Sequence, residues 1–241
     1  MKRLFISLAI LAGISLSSCN DSFLEKTPVT DLTENNAFNS YDNFKAFMWP
    51  CYEMFTNNTI RTSLQGFGQD GQYKGDMAAG YFQQKYESGY NEFAYQTVAS
   101  VASGNGWDFK SFIRRVNIML SHIDNSSMTE AQKDHWRAVG YFFHSFWYME
   151  LIDRFGDVPW VDQVLQEDSP EAYGPRVDRK TVADKVLERL QWAEQNIGNF
   201  TSQDGDNTIN QDCVRAVISR FGLREGTWRK YHELGDAEKY L

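Results

Sequence analysis

The stretch that decides the fold is Trp136–Pro159, WRAVGYFFHSFWYMELIDRFGDVP. Thr129 stands ahead of it as a helix cap, and Gln132 three residues later completes a capping box, in which two otherwise orphaned backbone N–H groups are satisfied. Trp136, Val139, Phe143, Phe146 and Trp147 recur at helical spacing. Phe142, Tyr148, Met149, Leu151 and Ile152 fill much of the remaining circumference. A helix that is apolar on most sides must sit between other elements. Ala138, Gly140 and Ser145 are small enough to let neighbouring helices approach its backbone. Gly156 suits a left-handed residue past the helix end, and Pro159 prevents continuation. The reading is a central, buried helix with a sharp stop.

Working outward, Ser40 can cap a helix with Phe44, Phe47, Met48, Cys51, Tyr52 and Phe55 on one face, and Pro50 should kink it or shift its boundary. Phe109, Phe112, Ile113, Val116, Met119, Leu120 and Ile123 form a second stripe, stopped by Asp124-Asn125-Ser126-Ser127. The loop is short, so this helix and the central one should pack as an antiparallel pair. Beyond a long loop over 160–178, Val182, Val186, Leu190, Ala193 and Ile197 mark an amphipathic helix ending near Gly198. After the polar loop 199–210, Val214, Val217, Ile218 and Phe221 mark another. The last residues, Ala237-Glu238-Lys239-Tyr240-Leu241, read like the start of a further helix. No strand pattern is visible. The expected class is all-α, built of helix pairs with long irregular loops.

The N-terminus reads as a targeting sequence: Lys2 and Arg3, an apolar run from Leu4 to Leu16, then small residues before Cys19. Leu16-Ser17-Ser18-Cys19 matches a bacterial lipobox, which makes Cys19 the expected lipidation site. Residues 1–18 are then the signal peptide, 19–39 a lipidated tether, and 40–241 the helical domain. Several acyl chains give a stable anchor where one gives only marginal attachment. Loss of Lys2 and Arg3 moves the net charge from −8 to −10. Such an acidic surface argues against nucleic acid and against unaided binding to anionic lipid. Cys51 and Cys213 sit among apolar residues, as free core thiols or, in an exported protein, as one bridge.

Nothing in the chain assembles a catalytic signature. GxSxG, HExxH and Walker motifs are absent from the sequence. The histidines share no metal spacing, and His144 reads as a satisfied core residue. Glu150 on its apolar helix has a plain partner in Arg154 at i+4. No cofactor is expected, and no enzyme. Residues 60–106 behave differently from the rest, with glycines from Gly66 to Gly106 and interleaved tyrosines. So long an irregular connection inside a domain is often functional. Sugar rings stack their C–H faces on flat aromatics, and their hydroxyls need polar partners. The segment supplies Tyr73, Tyr81, Tyr90 and Trp107 beside Asp70, Asp76 and Asn105, a candidate ligand surface. Trp107 heads a helix and is equally a core candidate.

Five features, in order, carry a family resemblance. They are Cys19-Asn20-Asp21-Ser22-Phe23-Leu24-Glu25-Lys26-Thr27-Pro28, Asn117-Ile118-Met119-Leu120, Arg154-Phe155-Gly156-Asp157-Val158-Pro159, Gly174-Pro175-Arg176, and Ser219-Arg220-Phe221-Gly222-Leu223. Together they resemble the SusD/RagB family of outer-membrane nutrient-binding lipoproteins. The resemblance implies tetratricopeptide-like helix pairs. It also implies a lipid-anchored protein, probing the cell exterior from the outer membrane, that passes oligosaccharides or other nutrients to a TonB-dependent, SusC-like transporter. Family members are about twice this length, so the chain is expected to be the N-terminal portion. A helical-repeat scaffold without a small ligand is the alternative.

Overall fold

The computed structural model describes residues 38–55, 107–109 and 111–241. The signal peptide, Cys19 and its tether up to 37, and the glycine- and tyrosine-rich segment from 56 to 106 lie outside the described residues. Within them the elements are α1 (Tyr41–Met48), a 3₁₀ segment (Trp49–Phe55), α2 (Phe112–His122), α3 (Glu130–Phe155), α4 (Arg179–Asn196), the one-turn α5 (Thr201–Asp204) and α6 (Gln211–Tyr231), with 3₁₀ turns at Pro170–Tyr173 and Ala237–Lys239. The fold is all-α. Among the described residues, β pairing is confined to one antiparallel bridge, between Val158 and Val177.

The caps fall where the residue types place them. Thr129 and Gln132 close the capping box of α3, with Thr129 N–H donating to Gln132 Oε1 at 3.0 Å. Ser40, Asp178 and Asn210 each accept a backbone N–H three residues on, opening α1, α4 and α6. Pro50 cannot donate a helical hydrogen bond, and the chain passes from α to 3₁₀ geometry just before it. α2 starts at Phe112 rather than at the first residue of its stripe, because Asp108 takes up both N–H and hydroxyl of Ser111 in a turn of its own. Gly156 has φ +68°, the positive value that ends α3.

Contacts fix the direction of each helix. Phe112 meets Trp147 while Met119 and Leu120 lie against Gly140, so α2 and α3 run antiparallel. A Cβ at Gly140 would stand 2.6 Å from Met119 Cε; that close approach is what the glycine permits. Tyr141 packs on Trp192, and His135 Nδ1–H donates to Gly198 O at 3.1 Å, while Ser145 reaches Val186, so α3 and α4 are antiparallel too. Arg215 pairs with Glu194 and Arg179 with Glu225, giving the same relation between α4 and α6. α2, α3, α4 and α6 are therefore stacked as successive antiparallel neighbours, with α3 inside.

The core follows α3. From Phe142 to Ile152 every residue of that helix is buried. Phe38, Tyr41, Phe44 and Met48 bring α1 onto α2 and the start of α3, and Tyr52 and Phe55 lie on Phe143. Cys51 is buried and Cys213 half-buried, both as free thiols. Burial pushes the Cys51 thiol up to about 12, which keeps it protonated and inert.

Candidate functional site

The Arg154–Pro159 segment acts first as a clasp. Val158 and Val177 exchange backbone hydrogen bonds at 3.2 and 2.9 Å, closing the long loop at its neck. Asp157 Oδ1 accepts the N–H of Arg179, the first residue of α4, at 2.9 Å. One turn back, Asp153 pairs with Arg224 of α6, whose guanidinium also donates to Met149 O at 3.2 Å. Arg179 reaches Glu225 at 2.8 Å, and Arg229 binds Glu225 at 2.8 Å and Asp184 at 3.0 Å. Tyr240 donates to Asp184 at 2.6 Å, and the Arg229 guanidinium lies 4.3 Å from the centre of its ring. Burial pushes the Tyr240 hydroxyl well above its ordinary range, as does its bond to Asp184. The carboxylates and guanidiniums here pair with one another, with Glu225 and Arg229 buried at the centre. They hold α3, α4, α6 and the last residues together.

Several concavities lie among the described residues. One, about 500 Å³, opens between the 3₁₀ segment, α3 and α6, with Tyr52, Phe55, Phe142, Phe146, Met149 and Val217 on its walls. Its charged lining residues are Glu150, Asp206, Arg220 and Arg224. Glu150 is 6% exposed, and burial, reinforced by the charge of Asp153, pushes its pKa up to about 7 against Arg224, Arg154 and Arg220. Arg154 does act on Glu150, as helical spacing suggests, but Arg224 of the facing helix counts for more. A smaller concavity, a cleft of about 320 Å³, lies at the turn between α4 and α6 and is largely polar. On its floor Asp204 accepts from Tyr41 at 2.5 Å and lies 3.4 Å from His135 Nε2. Among the described residues no cluster of three or more His, Cys, Asp or Glu could hold a metal ion.

A family model described as starch-binding and associating with the outer membrane, SusD-like, matches residues 22–223. The chain belongs to the SusD-like family. The crystal structure of a SusD-like protein from Bacteroides fragilis superposes with a TM-score of 0.61 at 18% identity, covering 85% of this chain and 39% of that one. A SusD-like carbohydrate binding protein from Bacteroides vulgatus gives 0.57 at 17% identity, over 84% of this chain and 44% of that one. A second from Bacteroides fragilis gives 0.53 at 16%, over 83% and 41%. The helical fold is thus that of SusD-like proteins, and the chain spans less than half the length of these solved relatives. No curated protein matches the sequence.

Of the ligand residues expected for this SusD-like chain, only Trp107 falls among the described residues. Asp70, Tyr73, Asp76, Tyr81, Tyr90 and Asn105 lie outside them, as does Cys19. Trp107 is half-buried, edge-on to Phe155 at 4.9 Å and to Phe109 at 5.3 Å, with the Arg176 guanidinium 4.9 Å from its ring centre. It joins the end of α3 to the Gly174-Pro175-Arg176 strand of chain, so packing is one of its roles. His144 is fully buried, donating Nε2–H to Val161 O at 2.9 Å, and burial holds its pKa well below the usual range, with Arg189 adding to the effect. The polar cleft has no signature along the chain, because most of its lining falls in the polar loop 199–210 and the rest comes from three different helices or their ends.

Proposed function

We propose that this chain is a surface-exposed, lipid-anchored binding protein that captures glycans or related nutrients for a TonB-dependent, SusC-like transporter of the outer membrane. The observation that carries the reading is the SusD-like match over residues 22–223, whose family description is of starch binding and outer-membrane association. Among the described residues no helix is long and apolar enough to cross a membrane. Attachment falls to the lipid of Cys19, at the end of the lipobox Leu16-Ser17-Ser18-Cys19. Ligand capture falls to the segment from Gly66 to Trp107, with Tyr73, Tyr81 and Tyr90 as stacking rings and Asp70, Asp76 and Asn105 as hydroxyl partners. Trp107 forms the edge of that surface and is anchored through Phe155 and Arg176. The role is binding rather than catalysis.

A glycan array followed by calorimetry tests this. Tyr73→Ala, Tyr81→Ala and Tyr90→Ala should weaken oligosaccharide binding while leaving stability within about 0.5 kcal/mol, as exposed substitutions do. If all three unfold early and bind normally, those tyrosines are scaffold. A second reading, a helical interaction protein without a small ligand, is favoured by the apolar outer face of α6, where Leu223, Trp228 and Tyr231 are exposed. A chain that binds no glycan but co-purifies with another protein through that face would support it.

A further inference from the structure

We propose that the cleft at the α4–α6 turn is a subsite for one neutral sugar ring. The proposal rests on the glycan-binding reading but uses different residues from those expected in the tyrosine-rich segment. The cleft's size suits one ring with a few waters and excludes a whole oligosaccharide, whose remaining units would extend into solvent. Its side walls come from Asn199 and Phe200 after α4, and from Asn210, Gln211 and Asp212 at the start of α6.

The polar side chains are already oriented by bonds to the protein. Asn199 Oδ1 accepts both N–H and hydroxyl of Thr201, at 3.2 and 2.7 Å. Asn210 Oδ1 accepts the N–H of Cys213 at 3.0 Å. With their carbonyls engaged, neither amide can flip, and each Nδ2 is left as a donor of fixed direction. Gln211 is locked the other way, because Nε2 donates to Glu194 O at 2.9 Å and leaves Oε1 as an acceptor. Asp212, with a side chain 91% exposed and its Oδ1 3.7 Å from Arg215, adds a carboxylate at the rim whose other oxygen can accept. Two donors and two acceptors around one small cleft match vicinal hydroxyls, each of which can give one hydrogen bond and accept others. Pre-oriented partners also lower the entropy lost on binding.

The remaining features select a neutral, stackable ligand. No Lys or Arg lines the cleft, so an anionic group would find no counter-charge. The buried floor carboxylate of Asp204 is offset by Lys45 at 3.6 Å, which weakens its pull on a cation. Its Oδ1 is the oxygen that faces Lys45 and is buried, while Oδ2 is taken up by Tyr41 and His135, so this carboxylate shapes the floor and leaves ligand recognition to the walls. Phe200 packs on His135 and Tyr41, at 4.8 and 5.2 Å between ring centres, and is half-buried. Those contacts hold the ring in place while its remaining surface lines the cleft, as stacking against a C–H face requires.

The test is a titration of the isotope-labelled chain with glucose, galactose, mannose, xylose and N-acetylglucosamine, followed through the side-chain amide resonances of Asn199 and Asn210. At least one sugar should shift both pairs in a saturable way. Phe200→Leu, which keeps an apolar group on His135 and Tyr41, should weaken that sugar about tenfold, and Asp212→Ala, at an exposed position, by a smaller factor. If none of the sugars moves these resonances, or if Phe200→Leu folds and leaves binding unchanged, the subsite is wrong. The array result is separate. Oligosaccharides that bind with shifts confined to Gly66–Trp107 overturn the subsite and keep the glycan reading. A sugar seated in the cleft of a chain that captures no oligosaccharide does the reverse.

Discussion

At the scale of single residues, α3 carries two side chains whose behaviour follows from burial. Trp147 is 4% exposed, packs on Phe112 at 5.1 Å, and donates its indole N–H to Asp108 O at 2.7 Å. Trp147→Ala should cost about 3–5 kcal/mol in urea unfolding, the range for a large buried aromatic; a loss below about 1 kcal/mol would mean the site collapses around the gap. Glu150 behaves oppositely. It is an acid whose folded pKa lies above its unfolded value, so the fold prefers its protonated form. That contribution is full below the ordinary carboxylate range and is lost as pH rises through about 7. Glu150→Gln should thus be more stable than the parent by up to about 3 kcal/mol near pH ~8, and about equal to it near pH ~4. A gain that is the same at both pH values would assign the effect to packing. Both residues were visible as members of an apolar helix. The partners of Glu150 were only half visible, because spacing along one helix finds Arg154 and says nothing about Arg224 on another.

At the scale of elements, caps and stops were the legible part. Thr129 with Gln132, Ser40, Gly156 and the change of geometry at Pro50 all obey rules that depend on a few neighbouring residues. The length of α6 was not legible. Its apolar stripe ends at Phe221, yet the helix runs to Tyr231, because the buried positions beyond are Gly222, Glu225, Gly226 and Arg229. Charged residues read as solvent-facing when the partners that neutralise them are far away in sequence, here Arg179, Asp184 and Tyr240. The same network keeps the last residues in a 3₁₀ turn against α6 rather than in the helix their composition suggested. Arg229, 0% exposed, should be the most sensitive of these positions. Arg229→Met would strand buried Glu225 with one cation fewer and cost about 3–5 kcal/mol. Denaturant melts check this, and a near-neutral result would show that water reaches Glu225 in the variant.

At the scale of the whole molecule, the order of motifs along the chain was more informative than any one of them. The pattern of antiparallel neighbours needs only short connections and apolar stripes, and both can be counted in the sequence. The proposed ligand surface is harder to read. Tyrosines and glycines without a period carry no geometry, and the cleft between α4 and α6 is made of cap residues whose second roles appear only when the turn is folded. The proposed lipid attachment of the molecule rests on Leu16-Ser17-Ser18-Cys19. Cys19→Ala should leave the precursor uncleaved or release the protein in soluble form, as seen by fractionation of cells. Unchanged partitioning into the membrane would refute the lipid anchor.

The clasp at Val158 and Val177 has a bearing on how much change the molecule can absorb. Just past the neck, Val161 and Gln163 are tied by their carbonyls to Asn117, and Leu165 to Arg114. Above that point, from Gln166 to Arg176, the chain is mostly exposed. The register of α3 against α4 is therefore set before this tip is reached, and the tip contributes nothing to it. Lengthening a closed loop is cheap, about 0.6 kcal/mol for each doubling. Residues between Glu167 and Gly174 form a natural port, where a foreign peptide or a small domain could be spliced in while the helices beneath keep their places.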